Sequence, residues 1–153
     1  MRQPRICHLL LLAAGLVIAA DHWNALPAVQ AGHDERTGIA LDRAEREQML
    51  AGMRVYLESI QQTVAALAAN RLDQVPLAAK TSGAKMLETV SPATALKLPA
   101  GFMSLSFDTH DKWDKLAEKA SKQPSRAEVL KDLEAIMANC TSCHASFRLL
   151  TQY

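Results

Sequence analysis

The chain has 153 residues, with 17 basic and 16 acidic side chains, a formal net charge of +1 and an aromatic content of 5%. A length of this order makes one domain that can bury its own core. The near-neutral balance leaves no basic face to steer nucleic acid, so that class of partner is excluded.

Residues 1–31 read as a secretory signal peptide. Arg2 and Arg5 form a basic opening, and Ile6 to Ala20 make an apolar run behind it. Cleavage after Ala31 leaves Val29 and Ala31 at the offsets the processing site favours, with cleavage after Ala19 or Ala20 as the competitor. The apolar run is short for crossing a bilayer, so no membrane span is expected in the mature chain. Cys7 lies inside this leader and is discarded with it. Loss of the leader takes Arg2, Arg5 and Asp21 and leaves basic and acidic groups in balance.

Residues 32–41 are polar and punctuated by Gly32 and Gly38, without an apolar period, and are expected to be a flexible arm. From 42 to 153 the pattern is that of a single helical domain. Met49, Met53, Tyr56, Leu57, Ile60, Val64 and Leu67 recur at steps of three and four residues, which predicts a long amphipathic helix over about 42–70. Asp42 can cap it, and Glu45 can complete a capping box.

A short turn at 70–72 leads to a second predicted helix over about 73–87, capped by Asp73, with Pro76 in its first turn. Residues 88–99 carry Ser91-Pro92 and Leu98-Pro99, which disfavour helix before each proline and mark the one long crossing. A third helix is predicted over about 100–122, with Phe102, Leu105, His110, Trp113, Leu116, Ala117 and Ala120 as inward positions, and Gln123-Pro124 ends it. Ser125 and Glu128 form a capping box for a fourth helix. Its apolar stripe runs through Val129, Leu133, Ile136, Met137, Cys140 and Phe147. No stretch alternates with period two, so the expected fold is all-α, an antiparallel four-helix bundle.

The fourth helix ends in Cys140-Thr141-Ser142-Cys143-His144. Cys-x-x-Cys-His is the pattern of c-type haem attachment. Two thiols spaced this way stand on one side of a helix, so each can add across one of two vinyl groups on one edge of a porphyrin. The adjacent His144 can then offer an imidazole nitrogen to the iron as its proximal ligand. A structural zinc site would want a second cysteine pair, which the chain lacks. A thioredoxin-like pair belongs beside a βαβ pattern, and none is present. Covalent haem is installed outside the cytoplasm, so motif and leader agree on a periplasmic location.

A helical chain whose last helix carries Cys140, Cys143, His144, Phe147 and Arg148 in this order resembles the class II c-type cytochromes, the cytochrome c′ family and its low-spin relatives. The likeness covers about residues 42–149; its specific part is Cys140 to Arg148. The resemblance implies one covalent haem c on Cys140 and Cys143, iron ligated by His144, and Arg148 close to that imidazole. Read alone, Arg148 is equally a solvated cation at a helix C-terminus. In the family one residue of the first helix faces the iron from the other side, and counting back from the first turn places it at Met53. Met49, one turn earlier, and His110 are the alternatives. Trp113 and Phe147 are candidate partners packing on the ring, although inward aromatics are core first.

Histidine and thioether ligation implies a low-spin iron that passes single electrons between periplasmic redox proteins, with no catalytic side chain required. The alternative within the family is a five-coordinate haem that binds small gases, nitric oxide or carbon monoxide. An alternative of a different class is a haem-free helical module with a Cys140 to Cys143 disulfide. Family members often pair through their first two helices, so a homodimer is a further expectation.

Overall fold

The computed structural model describes residues 34–152; the leader over 1–31, with its cleavage site and Cys7, lies outside the described residues. Helix α1 (Arg43–Ala68) starts where the capping box requires. The Glu45 N–H donates to Asp42 Oδ1 and the Asp42 N–H to Glu45 Oε2, both at 2.9 Å. It ends as a Schellman motif: Asn70 takes a left-handed φ of 57°, its N–H donates to Leu67 O, and the Arg71 N–H donates to Ala66 O at 2.8 Å.

The second predicted helix is broken. A 3-10 turn (Leu72–Gln74) leads into a short α2 (Val75–Lys80), and after Thr81 to Gly83 a second 3-10 helix (Ala84–Thr89) follows. Asp73 lies in the first turn and makes no cap; Arg71 holds the cap position. The break has a tertiary cause. Ser82 is fully buried and bonds to Ser59 of α1 at 2.8 Å, and the Ala84 N–H is taken by the Asp114 carboxylate at 2.9 Å. The predicted crossing contains its own turn of helix, α3 (Pro92–Ala95), capped by Ser91. Helix α4 (Ala100–Ala120) and helix α5 (Arg126–Ser146) fall close to prediction, and the Ser125 and Glu128 capping box is present.

The expected arm is a correction. Thr37–Leu41 form strand β1, which pairs in parallel with β2 (Phe147–Thr151), Thr37 opposite Phe147 and Leu41 opposite Thr151. Ile39 and Leu41 point inward and are buried. Two inward side chains are too few to register as an alternation, and the partner lies at the other end of the chain. The connection between these parallel strands is the whole helical body.

The described chain is therefore mostly helical, with five α-helices and one short parallel strand pair. Extended backbone contacts join α1 to α2, α2 to α4 and α4 to α5, while α1 and α5 are not so joined. The apolar interior falls into two clusters. The larger holds Leu67, Val75, Trp113, Leu116, Val129, Leu133 and Ile136, with Tyr56 and Ile60 against it. The smaller holds Ile39, Leu41 and Phe102, with Met49, Leu98, Cys143, Phe147 and Leu149. Leu57, Val64 and Met137, which fit the sequence stripes, are exposed. Among the described residues no helix is long and apolar enough to cross a membrane.

Candidate functional site

The two clusters leave a gap between them, and the cysteine and histidine motif faces it. On α1 the residues from Met49 to Tyr56, on α4 those from Phe102 to His110, and on α5 those from Asn139 to His144 line a cavity of about 280 Å³. On α1 and α4 the lining stops at the larger cluster, and on α5 it starts just beyond it, while Met49, Phe102 and Cys143 of the smaller cluster belong to the lining itself. The fourth wall is the second 3-10 helix, through Met86 and Leu87, and the crossing behind it, through Val90 and Leu98. Two polar ties hold that crossing to α1. Lys97 Nζ donates to Glu45 Oε2 at 2.6 Å, with Thr94 on Oε1, and the Gln48 amide donates to Thr89 O. The volume lies just below the usual range of ligand pockets, roughly 300–1,000 Å³.

Cys140 and Cys143 both line this cavity, are half-buried and are not bridged to each other. Cys140 Sγ donates to Ile136 O at 3.6 Å. Burial pushes both thiols above the usual cysteine range, because a thiolate loses hydration there. His144 borders the same cavity from an exposed position at the end of α5. Met53 and Met49 line it from α1, as do Met86 from the second 3-10 helix and Met103 from α4. α1 and α5 thus bring together five of the sequence candidates, the thiols of Cys140 and Cys143, the imidazole of His144 and the thioethers of Met53 and Met49. No three His, Cys, Asp or Glu side chains among the described residues gather as a metal cage.

His110, the third candidate for the sixth position, reaches the cavity but with both ring nitrogens engaged. Nδ1 lies 2.9 Å from Ser82 O, and a carbonyl only accepts, so Nδ1 carries the proton. In the neutral ring Nε2 then accepts from the Tyr56 hydroxyl at 2.7 Å. Burial, with the Cys140 and Cys143 sulfurs nearby, pushes that hydroxyl far above the usual phenol range, so it remains a donor. His110 is part of the wall; as a ligand it would have to give up one of these bonds.

Trp113 does not line the cavity. It is fully buried in the larger cluster among Val75, Leu116 and Ile136, the core place expected first of an inward aromatic. Position 113 falls one turn beyond His110, already past the cavity floor. Phe147 and Arg148 border a second cavity of about 250 Å³ that shares Met53, Phe102, Cys143 and His144 with the first. Phe147 meets Phe102 edge-on at 5.6 Å, and Arg148 is half-buried there beside Arg36 and Arg46. The Arg36 Nη1 donates to His144 O at 3.2 Å.

Sequence reasoning passed over Tyr56 as a hydrogen-bonding group, Asn139 and Arg36. Tyr56 lies on the helical stripe of Met49 and Met53, a signal that was legible. Arg36 gave none, because its place depends on the strand pair. Searches against protein-family models, curated proteins and solved structures find no match to the chain.

Proposed function

We propose that the chain is a periplasmic carrier of single electrons, a c-type cytochrome with one covalent haem, and not an enzyme. In this reading α1, the interrupted second helix, α4 and α5 are the arms of an antiparallel bundle around the cofactor. One observation carries the proposal: Cys140, Cys143 and His144 line the same apolar cavity as Met53 and Met49 on the facing helix. The donor set suits the group, two thiols for thioether bonds and a nitrogen and a soft sulfur for iron. Cys140 and Cys143 would fix the ring, His144 would hold iron, and Met53 would be the sixth ligand, with Met49 the nearest substitute.

A haem iron bound there supplies a reversible one-electron couple. The chain's own contribution is to exclude water with the side chains of Leu87, Val90, Leu98 and Phe102, and to keep ionised groups off the lining. Glu45 is the carboxylate on that lining, and it is tied to Lys97 and Thr94. An apolar surround penalises the extra charge of ferric iron, and thioether ligation favours the ferrous form, so both raise the potential. Redox proteins of the periplasm are the partners this implies, and a homodimer through the first two helices is compatible with it.

The test is the mass and the spectrum of the exported protein. Covalent haem adds about 600 daltons that survive denaturation, and His and Met ligation gives sharp split visible bands on reduction with a weak ferric band in the near infrared. A broad high-spin spectrum that responds at once to carbon monoxide would select a five-coordinate gas-binding protein instead. An unshifted mass from cells competent in cytochrome maturation would leave a haem-free module with a Cys140 to Cys143 disulfide.

A further inference from the structure

Helix α5 is held by the larger cluster over its first part, and near its end Cys143 packs on the smaller one. Its buried side chains are Val129, Leu133 and Ile136, all in the larger cluster, and then a single polar one, Asn139. Between Ile136 and Cys143 the helix runs along the cavity, and Asn139 is the buried side chain of that stretch.

Asn139 supplies what packing does not. Its Nδ2 donates to Asp108 Oδ2 at 2.7 Å and to Thr109 Oγ1 at 3.2 Å, both on α4. Its Oδ1 accepts from Lys112 Nζ at 3.0 Å, and Lys112 also pairs with Asp108 at 2.6 Å. The amide orientation follows from its partners, since an ammonium only donates and a carboxylate only accepts. Both ends of the amide are therefore satisfied, in an α4–α5 interface that also carries the Lys119–Asp132 ion pair at 2.8 Å.

We infer that Asn139 is a positioning residue for haem attachment: its clamp on Asp108, Thr109 and Lys112 sets the rotation of α5 that aims the adjacent Cys140, and with it Cys143, into the cavity. The inference rests on the haem reading above. A helix free to turn by one residue step moves by about 100°, enough to carry Cys140 off the cavity wall. A buried polar contact that specifies one arrangement among several is an attested role for such groups.

The experiment exchanges the partners of the clamp. Asn139→Asp removes both amide donors and sets a carboxylate against Asp108. The pair Asp108→Asn with Asn139→Asp restores an amide facing a carboxylate, with Lys112 able to reach both. Each full-length protein is exported from maturation-competent cells, and its thioether bonds are mapped by peptide mass spectrometry. Asn139→Asp is expected to lose doubly linked haem several-fold, with the missing bond at Cys140, and the exchanged pair is expected to recover it. Full double linkage in Asn139→Asp, or no recovery in the exchanged pair, overturns the inference. A second measurement follows the alkylation rates of Cys140 and Cys143 in the full chain made without haem. Asn139→Asp should raise the rate at Cys140 relative to Cys143, and an unchanged ratio counts against the clamp. Should the wild-type chain carry no haem at all, the functional reading fails, while the alkylation ratio still decides whether the clamp aims the thiols.

Discussion

Replacing Gly83 by alanine tests how α4 shapes the wall of the cavity. Gly83 has φ −70° and ψ −177°, extended backbone open to any residue, so the exchange brings no backbone strain. A Cβ there would instead overlap Asp114 Oδ1, on the carboxylate that accepts the Ala84 N–H at 2.9 Å. Asp114 must swing away, and a hydrogen bond to a charged acceptor is worth about 1.5–3 kcal/mol, with the lower end apt for a half-exposed group. The stiffer unfolded chain offsets about 0.4–1 kcal/mol of this, so Gly83→Ala should destabilise by about 1 kcal/mol. Asp114→Ala removes the same bond and also clears the space. In that background Gly83→Ala should stabilise, by about 0.4–1 kcal/mol. The reversal of sign is the signature, read by urea unfolding of the four proteins of the cycle with the slope unchanged. Losses that simply add would show that Asp114 does not hold the Ala84 turn, and would refute this account of why the second helix breaks.

Three further outcomes are expected. Met53→Ala should open the sixth position and turn a low-spin haem spectrum high-spin; low-spin bands that persist would move the ligand to Met49. Ile39→Ala should cost about 2–5 kcal/mol in denaturant unfolding, as for a buried core side chain, whereas a position on a loose arm would change stability by no more than about 0.5 kcal/mol. Glu45 is held below its ordinary value of 4.5 chiefly by the hydrogen bond from Lys97. A carboxyl lowered by folding contributes stability above its unfolded value, and that contribution fades as pH falls through the folded one. Acid unfolding followed below about pH 4.5 should therefore show a shallower loss in Glu45→Gln than in the wild type.

The sequence made legible what depends on neighbours along the chain. Both capping boxes, the three long helices and the facing of Cys140, Cys143, Met49 and Met53 follow from spacings within single helices, and they reappear with small changes of boundary. What was hidden depends on contacts across the chain. The break at Ser82 and Gly83 answers to Ser59 and Asp114, and β1 exists only because β2 lies beside it. Trp113 was legible as an inward side chain and is one, but a helical wheel tells which side of α4 faces inward, not where along its length the core gives way to the cavity.

That boundary carries an argument that does not depend on the haem motif. The buried polar residues of the described chain are Ser59, Thr63, Ser82, Thr94, Thr109, His110 and Asn139. Thr94, Thr109, His110 and Asn139 line the cavity, while Ser59 and Ser82 back its Tyr56 and His110 wall. The other end of the same helices packs Leu67, Trp113, Leu116, Leu133 and Ile136, with Thr63 of α1 as the buried polar residue there. Buried polar groups are costly unless each is paired, and a fold that needed only stability would have extended the apolar cluster through this region. Local rules tend to be broken where a chain serves something beyond its own stability. Here six of the seven lie around Cys140, Cys143 and Met53, with Thr63 the exception, so the placement of polar groups and the spacing of the motif point to the same candidate site.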